Sequence, residues 1–165
     1  MESIPGVGSK FYFDLTFDTV EEYADSPDSK KAFEVVEKPS LKGDVLVCED
    51  NEMNQQVISD HLEKVGLRVI IANNGKEGVE LVKNRAKNHE KPFDLIFMDI
   101  QMPVMDGLEA AYKISAYKTG TPIVAMTANI MSNDVELYKR NGIPDFLSKP
   151  FTTQELWKCL RKYFP

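Results

Sequence analysis

Asp94-Leu-Ile-Phe-Met-Asp-Ile-Gln-Met-Pro-Val-Met-Asp-Gly107 is the stretch on which the fold turns. An aliphatic and aromatic run, Leu95 to Met98, is closed by an acid, Asp99, and followed by a loop with Pro103 and the turn-and-cap pair Asp106-Gly107. A near-continuous apolar run of this length suits a strand buried on both faces, as in a parallel sheet. Working outward, the same kind of run recurs as Val45-Leu-Val-Cys48, Arg68-Val-Ile-Ile-Ala72, Pro122-Ile-Val-Ala-Met126 and Pro144-Asp-Phe-Leu147.

Amphipathic segments lie between the runs. Val57, Ile58, Leu62 and Val65 form one helical stripe, and Val79, Val82 and Ala86 a second. Leu156, Cys159, Leu160 and Tyr163 form the last, opened by Thr152-x-x-Glu155 as a capping box. Five strands alternating with five helices predict an open α/β sandwich with helices on both faces of a parallel sheet. A chain of 165 residues holds one such domain with a few tens of residues to spare.

Composition bounds the function. Charged residues make up 28 % and hydrophobic ones 42 %, ordinary globular values, and no run reaches the roughly 20 apolar residues of a membrane helix. A formal net charge of -6 opposes nonspecific nucleic-acid binding, which depends on Lys and Arg displacing counterions. Cys48 and Cys159 have no metal-ligand spacing, and Met1-Glu2-Ser3 does not begin a signal peptide, so a reducing, cytoplasmic setting is expected.

Open parallel sheets bind ligands at the carboxyl ends of their strands. The first run ends in Glu49-Asp50, the third in Asp99, the fourth in Thr127 and the fifth in Ser148-Lys149-Pro150. Any one acid after a strand is ordinarily just a helix cap. Three carboxylates, a hydroxyl and an ammonium on one rim are a different matter. Clustered carboxylates repel one another unless a cation joins them, and oxygen-only ligands select a hard ion, Mg²⁺. A carboxylate beside Mg²⁺, a lysine and a hydroxyl is arranged to attack phosphorus and form an aspartyl phosphate. No Walker-A sequence supplies a nucleotide cradle, so the phosphoryl group comes from elsewhere.

Glu49-Asp50, Met98-Asp-Ile-Gln-Met-Pro-Val-Met-Asp-Gly107, Met126-Thr-Ala-Asn129 and Asp145-Phe-Leu-Ser-Lys-Pro150, in order and at the expected separations, resemble the response-regulator receiver domain across residues 43–165. The resemblance implies a doubly wound, flavodoxin-like five-stranded sheet of order 2-1-3-4-5. It implies that Asp99 accepts phosphate from a kinase phosphohistidine and that Glu49, Asp50, Asp99 and the backbone carbonyl of Gln101 serve Mg²⁺. Thr127 and Lys149 hold the phosphoryl group on this reading, Phe146 changes rotamer with Thr127, and Lys149-Pro150 suits the family's cis peptide. The implied partners are a histidine kinase core and a histidine-containing phosphotransfer protein. An aspartyl-phosphate phosphatase is the rival reading, disfavoured because Asp99-Ile-Gln101 lacks a second acid; a receiver used only as a binding platform has no need of intact Asp99, Thr127 and Lys149.

Residues 1–42 differ, with nine acids and five bases, net -4. Glu2-Ser-Ile-Pro-Gly-Val-Gly-Ser-Lys-Phe-Tyr-Phe-Asp-Leu-Thr-Phe17 is similar to the closing glycine motif and last strand of a histidine-kinase ATP-binding domain. The expected organisation is a kinase remnant at 1–18, a linker at 19–42 and the receiver at 43–165, from a hybrid sensor kinase whose parent is membrane-anchored or cytoplasmic. Alternation over residues 10–17 predicts a strand with Phe11, Phe13, Leu15 and Phe17 on one face, offering a route to self-association. His61, His89, the methionines, Trp157 and Lys83-Asn-Arg-Ala-Lys87 read as structural or solvated features.

Overall fold

The computed structural model describes residues 2–4, 6, 8–12, 14, 37–128 and 132–164. It divides into two units, Met1–Glu34 and Val35–Pro165.

In the first unit β1 (Glu2–Ile4) pairs antiparallel with β2 (Gly8–Lys10), Glu2 opposite Lys10 and Ile4 opposite Gly8. Gly6 lies between them at φ +79°, a left-handed conformation that glycine adopts without steric cost. The strand expected over 10–17 is therefore displaced. The glycine turn commits Gly8 to Lys10 to pairing with the chain before it, and Phe11, Tyr12 and Asp14 lie outside any strand. Residues 13 and 15–17 lie outside the described residues.

The second unit is a parallel sheet of β3 (Asp44–Cys48), β4 (Arg68–Ala72), β5 (Leu95–Asp99), β6 (Ile123–Thr127) and β7 (Asp145–Ser148). Its order is β4-β3-β5-β6-β7, the expected 2-1-3-4-5 when only the strands of this sheet are counted. Between the strands and after them run α1 (Glu52–Lys64), α2 (Gly75–Lys87), α3 (Gly107–Ser115), α4 (Ser132–Arg140) and α5 (Thr153–Tyr163). Among the described residues no helix is long and apolar enough to cross a membrane.

Because side chains alternate along a strand, each apolar run feeds two cores. Val45, Val47, Leu95, Phe97, Val124 and Met126 pack with Ile58, Leu62 and Val65 of the α1 region and Leu156, Cys159 and Leu160 of α5. Leu46, Cys48, Ile96, Met98, Ile123 and Ala125 pack on the other face, with residues of α2 and α3 and Tyr138 of α4. Each fully buried aliphatic contributes on the order of 1.5–3 kcal/mol. Val57 leaves the predicted α1 stripe, being 48 % exposed.

Helix starts follow the caps. The Asn51 side chain accepts from the backbone N–H of Met53 and Asn54, Asn74 from Glu77, Asp106 from Glu109, and Thr152 with Glu155 completes the capping box. Each cap is worth roughly 1 kcal/mol.

At the N-terminal ends of the strands, Arg85 departs from the solvated-helix-end reading. Its guanidinium stacks 3.8 Å from the Phe93 ring centroid and pairs with Asp44 at 3.0 Å, so its stem and planar head are used for packing as well as charge. Arg68 also pairs with Asp44, whose carboxyl is held at a pKa of about 2, chiefly by the Arg68 hydrogen bond, with burial working the other way.

The chain approaching β3 is held down. The Leu41 N–H donates to the Val65 carbonyl at 2.7 Å, the Leu41 side chain packs against the α1/α5 core, and Arg161 donates to the Glu37 carbonyl at 3.1 Å. Gly66, at φ +97°, makes the crossing possible: a Cβ there would lie 2.5 Å from the Leu41 carbonyl oxygen.

Candidate functional site

Strand register assembles the site. Asp99, the last residue of β5, pairs with Met126, the neighbour of Thr127; Thr127, the last of β6, pairs with Ser148, the neighbour of Lys149. Glu49 and Asp50 follow β3 directly, and β3 is flanked by β5. Four strands thus end at one rim with their chemistry-bearing residues adjacent.

Side chains of Glu49, Asp50 and Asp99 offer ligand oxygens that all lie within 4.8 Å of one another. Lys149 Nζ reaches Glu49 Oε2 at 2.5 Å and Asp99 Oδ2 at 2.7 Å. Glu49 is only 1 % exposed, Asp99 and Thr127 are also buried, and Asp50 faces solvent. The Gln101 N–H donates to Asp99 Oδ1 at 3.1 Å, fixing the carboxylate from the loop side. The Lys149-Pro150 bond is cis.

One ammonium shared by several acids leaves a deficit of positive charge. Burial pushes the Asp99 carboxyl above its usual range against the pull of Lys149 and the Gln101 N–H, and the Glu49 charge adds to the rise. Burial opposes the Lys149 charge too, but hydrogen bonds to Asp99 and Glu49 outweigh it and hold the ammonium above its usual range. An oxygen-only donor set lacking countercharge is what a hard divalent cation fits, and the cluster contains neither the thiolate nor the imidazole that would suit a softer metal.

Asp106-Gly107 shapes the loop. Asp106 Oδ1 accepts the Glu109 N–H at 2.8 Å, and the Gly107 N–H donates to the Ile100 carbonyl at 3.0 Å. No Cβ fits at Gly107, since it would lie 2.1 Å from the Asp99 carbonyl oxygen. Phe146, second in β7, is 37 % exposed and borders a groove with Ser148, Lys158 and Cys159. Beside the acids, a cleft of about 370 Å³ is lined by Asn54, Val57, Met126, Ala128, Pro150 and Phe151.

Sequence reasoning missed two residues here. Asn54 Nδ2 donates to Glu49 Oε1 at 2.9 Å, and Gln55 Nε2 to the Glu49 carbonyl at 2.7 Å. The available signal was two amide side chains in the first turn of a helix that begins directly after the acidic pair. Other residues stay structural: Met98 and Met126 are core, His61 is half-buried on α1, and His89 is exposed after α2. Trp157 packs partly against the α1/α5 core, and Met131 lies outside the described residues.

Comparison with known proteins agrees with this architecture. Residues 45–161 match the family model described as the response regulator receiver domain. The chain is 37 % identical over 138 residues to the transcription factor SKN7 of Candida albicans, covering 84 % of this chain and 24 % of that protein. It is 38 % identical over 120 residues to hybrid signal transduction histidine kinase I of Dictyostelium discoideum, covering 70 % of this chain and 7 % of that one. It therefore spans about a quarter or less of the length of these curated relatives. Among solved structures, the receiver domain of the Pseudomonas aeruginosa sensor histidine kinase PA1611, with a magnesium ion coordinated in its active site cleft, superposes with a TM-score of 0.65 at 35 % identity, covering 74 % of this chain and 97 % of that one. The Saccharomyces cerevisiae Ssk1 receiver domain, crystallised with the histidine phosphotransfer protein Ypd1, gives 0.68 at 31 % identity, covering 76 % and 91 %. Matched along most of its length by the family model and carrying the family's sheet order and acidic rim, this chain belongs to the response regulator receiver domain family of two-component signalling.

Proposed function

We propose that this chain accepts a phosphoryl group on Asp99 from a phosphohistidine and passes it to a histidine-containing phosphotransfer protein, as the receiver of a hybrid kinase whose core acts in cis. The observation that carries the reading is the Lys149 ammonium, 2.7 Å from Asp99 and 2.5 Å from Glu49, at a rim where ligand oxygens of three acids crowd within 4.8 Å. Glu49, Asp50, Asp99 and the Gln101 carbonyl would hold Mg²⁺, which when bound supplies positive charge opposite the phosphoryl oxygens. An Asp99 carboxylate oxygen forms the new O–P bond as the N–P bond of the phosphoimidazole breaks, and the imidazole leaves with the electron pair. Lys149 holds a phosphoryl oxygen in place of one of its present carboxylate partners, and the Thr127 hydroxyl donates to another. Thr127, drawn toward the phosphoryl group, leaves room for Phe146 to turn inward.

The magnesium-bound PA1611 receiver supports the metal assignment and the Ssk1–Ypd1 complex supports the phosphotransfer partner. Met53 and Val57 are exposed on the first half of α1, beside the cleft that borders the acids, and provide apolar surface for such a partner.

The test is intact-mass measurement after incubation with acetyl phosphate. Wild type is expected to gain one phosphate with Mg²⁺ and none with chelator, and Asp99→Asn none in either condition. Labelling of Asp99→Asn would overturn the assignment, and steady turnover of an added phosphomonoester would favour the phosphatase reading instead.

A further inference from the structure

We infer that Asn54 is a positioning residue for Glu49 and makes the acidic site selective for Mg²⁺ over Ca²⁺, an inference that rests on the metal reading given above. Glu49 is the most constrained of the three acids. Its Oε2 takes the Lys149 ammonium, while its Oε1 takes the Asn54 amide at 2.9 Å and the Asn51 N–H at 3.4 Å. Its carbonyl takes Gln55 Nε2, which also donates to Asn73 Oδ1 at 3.0 Å and so ties the residue to the loop after β4. Lys149 after β7 and the start of α1 thus hold the Glu49 side chain, while Gln55 ties its backbone carbonyl to the loop after β4.

Glutamate needs this more than aspartate does. Its longer stem has more rotamers to lose, and ordering it costs up to about 1.5–2 kcal/mol. Asn54 is suited to the task because its backbone N–H is already taken by Asn51 Oδ1 at 3.1 Å, which fixes the first turn from which the amide reaches out. The amide is also neutral. It satisfies an oxygen of a buried anion without placing a second positive charge where a cation must sit, as another lysine would.

A fixed donor distinguishes the two ions. Mg²⁺ demands near-octahedral oxygens at about 2.0–2.1 Å, whereas Ca²⁺ accepts six to eight ligands in flexible arrangements. Without Asn54, Lys149 still holds Oε2, but Oε1 keeps only the long Asn51 N–H contact at 3.4 Å; a carboxylate loosened at that oxygen still serves Ca²⁺ but no longer presents the geometry that Mg²⁺ requires.

The experiment is isothermal titration calorimetry of the full chain with MgCl₂ and with CaCl₂, on wild type, Asn54→Ala and Gln56→Ala. Gln56 lies on the same helix and its side-chain amide donates to Asp60 Oδ1 at 2.7 Å, away from the acidic rim, so its variant is the control. Asn54→Ala is expected to weaken Mg²⁺ binding about tenfold, the lower end for loss of a ligand's hydrogen-bond partner, and Ca²⁺ binding less than threefold. Asn54 is exposed and alanine is a good helix former, so the variant stays folded; the lost Glu49 hydrogen bond lowers the urea midpoint modestly, and the titrations are compared on folded protein. Unchanged Mg²⁺ affinity, or equal loss for both ions, would overturn the inference and leave the metal reading standing. Absence of Mg²⁺ binding by wild type would overturn the metal reading itself, and the inference with it.

Discussion

Replacing Gly107 with alanine should damage both the stability and the chemistry of this chain, for a reason that can be worked from distances. The added Cβ would lie 2.1 Å from the Asp99 carbonyl oxygen and 2.9 Å from Ile100 Cα. Non-bonded heavy atoms settle near 3.5 Å, so the first contact must open by about 1.4 Å. The obstructing atoms are backbone, and no rotamer change can clear them. The start of α3 must move away from the end of β5, straining the Gly107 N–H bond to Ile100 at 3.0 Å. Overpacking of this kind costs about 1–3 kcal/mol, and we expect the upper end. Displacement of a reacting group by about 1 Å can cost on the order of a hundredfold in rate, so Asp99 labelling by acetyl phosphate should slow by that factor. Gly120→Ala is the comparison. Gly120 sits at φ +74° with nothing within 4 Å, so alanine there is strained by about 1–2 kcal/mol while the labelling rate is unchanged. Urea unfolding and timed intact-mass measurements on both variants decide the matter. A Gly107→Ala protein that loses less than about 1 kcal/mol and labels within threefold of wild type would refute the packing argument.

Two further outcomes are expected. Asp44 has its pKa lowered to about 2, so it contributes stability that is present above its unfolded value near 4 and is lost as pH falls toward 2; Asp44→Asn should therefore melt lower than wild type at neutral pH, with the gap narrowing across that window. A gap of constant size would show that the charge is not what Asp44 contributes. Deleting residues 1–36 should leave Asp99 labelling unchanged while abolishing self-association through residues 10–17, where Phe11 and Tyr12 are exposed, as read by light scattering; the same number of chains per particle before and after deletion would remove that interface.

What the sequence disclosed and what it hid divide along a physical line. Asp99 and Thr127 were readable because a parallel sheet places the ends of its apolar runs on one rim, and register then brings Thr127 and Lys149 beside Asp99. Leu46 and Val47 could be placed in a core because their run is uninterrupted, yet only the folded sheet shows that they face opposite cores. Val57 was misplaced since a helical stripe wide enough to include it is wider than the face α1 buries. Arg85 looked solvated because sequence shows its charge and not the Phe93 ring beneath it. Leu41 fell in the expected linker because its hydrogen bond to Val65 joins residues far apart in the chain. Asn54 escaped notice for a related reason: its role depends on where the Glu49 carboxylate points, which no spacing rule states.

The docking of Leu41 against Gly66 and Val65 also decides where a tether leaves this domain. The strands begin at that pole and the acidic rim lies at the other, a five-residue strand away, or about 17 Å. A donor joined covalently on the upstream side must therefore travel the height of the sheet to reach Asp99. Below that span the local concentration of a tethered donor falls toward zero, whereas a donor free in solution is unaffected. On the proposed function, tether length alone would set whether the receiver is charged by its own chain or by a visitor, with no change to any residue at the rim.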